Sequence, residues 1–510
     1  MSQQKEGPDQ ARSWVIAIAA CFIYILVAGL NRASGLFYVA IIETYGVSRL
    51  QANLPFTMRN VVKNLAGPLV GAIGQRYGSR DVTIVGGVLA SLGIILCTFA
   101  PNVLWITIFW GGMHGLGVAL GSTLSQVIVP QYFLKYRATA SGFSLSGPCL
   151  GSFFLPIVLE YLLTNVGLAG TFLMTGGLVL HVLPASILMV EPPWIRRRTE
   201  ANVLKSSMEC IENKHINNEF NENSKELSVS NLRLQSFSGT LKKDEHSTVL
   251  LKNNHNASNG IDNPSFTGST LELLKVKSDQ VKTLTKEDPS ITKENDIHAT
   301  YLFYQIVQLM RNPMFHMISL SFAAFAMVVD PALTVIVDYL MDKGLKEDVA
   351  KYFISLMALG DLIGRMGFGW VTDRNYISVP KFMMLLHVGL GLCFLLLPVF
   401  SNFDSLMTVL VIYGLISGVI LVMFPVLVGN YLKSVQSLAI GFIAFSSGLL
   451  NLGIPPLIGY CRDRIGSYDG MFYITGIASI IVGFFWLFEP FFVKLNTRKA
   501  SEQSSSNIDT

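Results

Sequence analysis

The sequence predicts an all-α membrane protein of twelve transmembrane helices arranged as two six-helix halves. Three observations predict it: an apolar, charge-poor composition, twelve apolar runs of spanning length, and a repeat relating the first six runs to the last six. Of 510 residues, 51% are hydrophobic, 14% are charged and 32 are Phe, with a mean hydropathy of +0.47. Soluble domains are about 25% charged, so the lipid bilayer is the medium this composition fits. Of the 72 charges, 32 fall between Glu191 and Arg311, sixteen of each sign, which leaves the rest of the chain poorer still. A net charge of +4 spread over membrane loops forms no basic patch, so nucleic-acid binding is excluded. The six cysteines (Cys21, Cys97, Cys149, Cys210, Cys393 and Cys461) are scattered, and all but Cys210 lie in or beside apolar runs, where they read as small core residues.

A span needs about 20 apolar residues. Runs of that kind fall at 14–39, 51–74, 82–100, 103–130, 138–163, 170–190, 313–341, 349–371, 382–400, 405–431, 437–460 and 470–492. The expected organisation is an N-tail (1–13), a first half (14–190), a long loop (191–312), a second half (313–492) and a C-tail (493–510). The first run follows a polar stretch without a cleavage-like site and is too long for a signal-peptide core. With the N-terminus cytosolic, sixteen Lys and Arg near span ends lie inside and six outside, so both tails and the loop are expected in the cytosol. The loop is rich in Asn, Ser and Lys with few aromatics, which predicts disorder, and its Asn256-Ala-Ser258 sequon would stay unglycosylated.

The repeat is legible residue by residue. At an offset of 299, Tyr132 falls on Tyr431, Ala140 on Ala439, Gly142 on Gly441, Phe143 on Phe442 and Pro156 on Pro455. The turn Gly71-Ala-Ile-Gly-Gln75-Arg76 answers Gly369-Trp-Val-Thr-Asp373-Arg374. A unit with an even number of spans inserts both copies the same way round, the parallel repeat of alternating-access carriers with a site between the halves.

Charge inside a span costs about 2.5–3.5 kcal/mol at the bilayer centre on insertion scales, so ionisable residues there are functional candidates. Asp361 and Arg365 in the eighth run are spaced i, i+4 on one face, acid first, the favourable order for an ion pair. Arg32 follows Asn31 late in the first run, where Gly35 also weakens the helix, as befits a cavity lining. Arg59 and Lys63 in the second run repel one another unless an anion or acid sits opposite, and Asp330 beside Pro331 in the seventh is the natural acid. Four cations against two acids leave a positive surplus that asks for an anion, and a planar guanidinium suits a carboxylate. His114, His181 and His387 read as packing histidines, and the glycines 111, 112, 115, 117 and 121 as helix-packing positions. The sequence carries no GxxxxGK[ST], HExxH or GxSxG motif and no metal-ligand cluster, so no catalytic residue, metal or cofactor is expected, and transport would be driven by gradients.

With two repeated halves and paired Gly/Arg turns, the chain resembles the major facilitator superfamily. More specifically it resembles the monocarboxylate transporter family, whose signature YFxKRRxxAxGxAxAGxxxG is matched by Tyr132, Phe133, Lys135, Arg137, Ala140, Gly142, Gly147 and Gly151. A second signature, of the type DGGWGW, survives as Asp9 and Trp14. The resemblance implies carboxylate binding by Arg365, with Arg32 beside it, and proton handling by Asp361; on the reading of the buried charges, Asp330 is the alternate proton carrier. Arg32 stands where the family has a lysine, which keeps the charge but removes a titratable group. Gly414-Leu-Ile-Ser-Gly418 lacks the Phe that narrows lactate carriers, which implies room for a larger substrate.

The expected function is secondary active or facilitative plasma-membrane transport of small organic monocarboxylates, with protons as candidate co-substrate. One alternative is a uniporter of an amino acid or creatine-like zwitterion; another is a non-transporting sensor or scaffold using the long loop. The resemblance also permits a single-span glycoprotein partner.

Overall fold

A computed structural model describes residues 7–195 and 302–495. All of those but 302 and 303 belong to one compact unit, 1–196 together with 304–510. Asn256, Cys210 and most of the 191–312 loop lie outside the described residues.

The described residues are helical, with no strand among them. Ten helices are long and apolar enough to cross a membrane, and two observations raise the number to twelve spans. Arg137–Leu188 counts as one helix of 52 residues, more than twice a bilayer's thickness, but Gly167 breaks it with φ +70°, a left-handed turn that glycine takes without Cβ strain. The second span (Arg49–Leu65 and Gly67–Tyr77) fails on composition alone, because it carries Arg49, Arg59, Lys63 and Arg76.

Several spans are broken near mid-length, and the sequence explains where. The second restarts at Gly67-Pro68, the fifth (Arg137–Leu145, then Gly147 onward) at Gly147-Pro148, and the eleventh (Gln436–Asn451, then Ile454–Tyr460) just before Pro455-Pro456. Proline lacks an N–H and is tolerated in a helix's first turn, so each break lets a new helix begin on it. The first span (Ala11–Arg32, then Ser34–Tyr45) breaks without proline: Asn31, Ser34 and Gly35 are weak helix formers, and the Ser34 hydroxyl donates back to the Asn31 carbonyl at 2.8 Å.

The two halves meet mainly on the side bearing both tails. The eighth span (Glu347–Gly367, then Gly369–Asp373) ends there, and Asp373 accepts from the backbone N–H of Ala138 and Thr139, both at 2.8 Å, and from the Thr139 hydroxyl at 2.7 Å. That is a charged cap on the helix starting at Arg137. Second and eleventh spans touch through glycine: a Cβ on Gly67 would lie 2.2 Å from the Gly441 carbonyl oxygen, and one on Gly441 2.1 Å from that of Gly67. Arg137 donates to Asn430, and Gln131 to Gln436, across the same boundary. Among the described residues, the substantial packing between halves lies on this side or at mid-depth.

Candidate functional site

At mid-depth, one carboxylate holds two arginines from opposite halves. Arg365 donates from Nε to Asp361 Oδ1 at 2.6 Å and from Nη2 to Oδ2 at 2.8 Å, a planar two-bond fork within one helical turn. Arg32, from the first half, donates from Nη2 to the same Oδ2 at 2.6 Å. Cys149 adds a thiol donor to Oδ2 at 3.2 Å, and the remaining Arg365 nitrogen, Nη1, donates to the Leu145 carbonyl at 2.6 Å. Asp361 and Arg365 are each 6% exposed, whereas the Arg32 side chain is 27% exposed. The triad carries one positive charge in excess, and its accessible cation is Arg32.

The helix break after Arg32 explains why the guanidinium turns inward. Arg32 is the last residue of its helix, and the restart at Ser34 lets it leave the helix axis toward the eighth span. Asp361 and Arg365 approach their neighbours through glycine. A Cβ on Gly418 of the tenth span (Phe403–Tyr431) would lie 2.3 Å from the Asp361 carbonyl oxygen, and one on Gly142 2.0 Å from that of Arg365. The signature glycine Gly142 therefore seats the fifth span against the pair, and Gly147 and Gly151 seat it against the first span, near the Cys21 and Ile25 carbonyls.

The remaining mid-span charges fall in two places. Asp330, in the seventh span (Pro313–Asp342), accepts from Asn451 Nδ2 at 2.7 Å, and its charge acts on Lys63; Asp330 is exposed and Lys63 half-buried. Arg59 turns away from both acids: it is 2% exposed and donates to Asn31 Oδ1, to Asn60 Oδ1 at 3.4 Å and to the Val27 carbonyl at 3.4 Å. Arg59 thus turns to neutral oxygens, while Lys63 feels both the like charge of Arg59 and the opposite charge of Asp330.

Of the three histidines, His114 and His387 are fully buried. His114 Nδ1 lies 3.0 Å from the Ala90 carbonyl, and His387 Nδ1 3.4 Å from the Ser479 hydroxyl. His181 differs from a packing histidine: it is exposed, its ring bonding the Gly177 carbonyl of its own helix. Among the described residues no group of His, Cys, Asp and Glu is placed to hold a metal ion.

The family-signature residues meet on the tail side. Asp9 accepts from the backbone N–H of Leu134, Lys135 and Tyr136 at 3.0–3.4 Å, while Trp14 packs edge-on against Phe133 at 5.1 Å. Tyr132 donates its hydroxyl to the Val190 carbonyl at 2.7 Å, and Arg137 reaches the Pro130 and Phe133 carbonyls from Nε. Asp9 and Trp14 are few as a sequence match, but both dock the N-terminal end of the chain onto the other signature. Cys149 and the Leu145 carbonyl were not legible as site groups, since a thiol in an apolar run and a backbone oxygen carry no sequence signal.

The Major Facilitator Superfamily profile matches residues 20–450 and 315–508. Monocarboxylate transporter 12 of Xenopus laevis is 25% identical over 482 residues, covering 94% of this chain and 89% of its own. Human monocarboxylate transporter 14 is 25% identical over 490 residues, covering 94% and 91%. Among solved structures, the E. coli fucose:proton symporter superposes with a TM-score of 0.60 at 12% identity, covering 93% of this chain and 99% of its own, which is a likeness of fold. The chain belongs to the Major Facilitator Superfamily, as a multi-pass membrane transporter, and along nearly its whole length it is similar to monocarboxylate transporters.

Proposed function

We propose that the protein carries small organic monocarboxylates across the plasma membrane by alternating access, with both tails in the cytosol. The observation that carries this reading is the Arg32–Asp361–Arg365 triad, with one net positive charge and Arg32 as its accessible cation. A substrate carboxylate binding Arg32 competes with Asp361 for that guanidinium. Asp361, left with Arg365 alone, can then take up a proton, so that anion and proton cross as a neutral load. Arg32 and Arg365 serve as substrate cations, Asp361 carries the proton, and Asp330 is its alternate. Arginine at position 32 hardly deprotonates, so the proton must travel on a carboxylate.

One observation favours a second reading. Asp330 is exposed at mid-span, so a zwitterion could set its carboxylate on Arg32 and its cationic end near Asp330. Uptake of a labelled panel of monocarboxylates and amino acids in oocytes separates the two. Carboxylate uptake that rises as outside pH falls from about 8 to 5.5 is expected. Uptake confined to zwitterions and indifferent to pH replaces it with the uniport.

A further inference from the structure

We propose that Arg59 is a positioning residue for Arg32: it staples the last turn of the first span and so fixes where the guanidinium that meets the substrate points. Arg59 is 2% exposed, and two different nitrogens of its fork reach the first span, Nη1 donating to Asn31 Oδ1 and Nη2 to the Val27 carbonyl at 3.4 Å. Val27 and Asn31 are four residues apart and lie one above the other on one helix face, a spacing that suits a planar fork better than a point charge. Neutral oxygens satisfy the hydrogens of Arg59 without matching its charge, but the last turn of a helix is its negative end, where a cation is stabilised. Its own surroundings hold it there. Nη1 also donates to Asn60 Oδ1 at 3.4 Å, and a Cβ on Gly115 of the fourth span would lie 3.2 Å from both the Cα and the carbonyl oxygen of Arg59.

Asn31 is the joint between the two arginines. It directly precedes Arg32, the last residue of its helix; its carbonyl accepts from the Ser34 hydroxyl at 2.8 Å, while its amide oxygen accepts from Arg59. The break that lets Arg32 leave the helix axis is therefore held from within by Ser34 and from the second span by Arg59. A last turn that frays carries Arg32 with it, and the bond from its Nη2 to Asp361 Oδ2 at 2.6 Å is lost. This inference rests on the reading that Arg32 receives the substrate carboxylate.

Uptake of the monocarboxylate best carried from the labelled panel, measured against concentration and normalised to surface protein, tests it in Arg59→Gln, Asn31→Ala and Arg32→Ala, singly and in pairs. Arg59→Gln should weaken apparent affinity about 5–10-fold, the effect of one net hydrogen bond, with the maximal rate changed by less than about twofold. Asn31→Ala, which keeps the Arg59 charge and removes the amide oxygen, should show the same loss. In the Arg32→Ala background neither change should weaken affinity further, because both act through Arg32. A lower maximal rate or surface level with affinity unchanged marks a packing role and overturns the proposal. So does a loss in Arg59→Gln without one in Asn31→Ala, which means that the charge acts through its field. If Arg59→Gln does not reach the surface, wild-type affinity in Asn31→Ala overturns it. Wild-type affinity in Arg32→Ala is a separate failure, which removes the carboxylate reading and this inference with it.

Discussion

Arg365 and Arg59 are both buried guanidinium groups at mid-depth, yet their surroundings differ in kind. Arg365 has Asp361 one turn away on its own helix and a second arginine sharing that carboxylate across the halves. Arg59 has only amides and a carbonyl, all within the first half. A cation whose charge is matched by an acid is held in place and can exchange that acid for a substrate. A cation matched only by dipoles has no acid to exchange and serves by holding those dipoles in place. The sequence-level surplus of two cations is thereby located: Lys63 is offset by Asp330, one unit sits on the shared triad and one on Arg59.

The largest expected effect comes from breaking the matched side. Arg365→Ala should abolish uptake, and Arg365→Lys should retain little because a point charge loses the two-bond fork. Orphaning Asp361 costs roughly 3–5 kcal/mol, so surface expression has to be measured alongside flux. Normal flux in a well-expressed Arg365→Ala would make the pair a strut. Steric probes sharpen the comparison next. Gly418→Ala puts a Cβ 2.3 Å from the Asp361 carbonyl and should cut uptake about tenfold, since overpacking costs about 1–3 kcal/mol. Gly115→Ala, whose nearest contact with Arg59 is 3.2 Å, should cost less than threefold. An equal loss in the two would erase the distinction between the two arginines. A similarly small effect belongs to Arg32→Lys, which keeps the charge at the exposed corner of the triad through a single bond; a loss of less than about threefold in apparent affinity is expected from concentration-dependent uptake.

Much of this was legible in the sequence because membranes restrict the choices. Apolar runs, the 299-residue offset and the i, i+4 spacing of Asp361 and Arg365 each follow from one-dimensional periodicity. The proximity of Arg32 to Asp361 was not legible, because 329 positions separate them and only the packing of opposite halves joins them. Arg59 and Lys63 were readable as a conflict, but its resolution depended on which way each long side chain turned. The contact between the halves on the tail side was partly hidden as well. Asp373 and Gln75 align in the repeat, yet only the carboxylate caps the opposing helix, a difference a single-residue change conceals until the partners at Ala138 and Thr139 are in place.

The central claim is that a substrate's carboxylate engages the arginines of the triad. Competition for labelled uptake in proteoliposomes, between each transported acid and its uncharged amide of nearly identical shape, tests it most directly. The acid should compete and the amide should fail by at least about a hundredfold, since a charge-assisted two-bond contact contributes about 1.5–3 kcal/mol per bond. Equal competition by acid and amide would show that shape alone is recognised and would contradict the account.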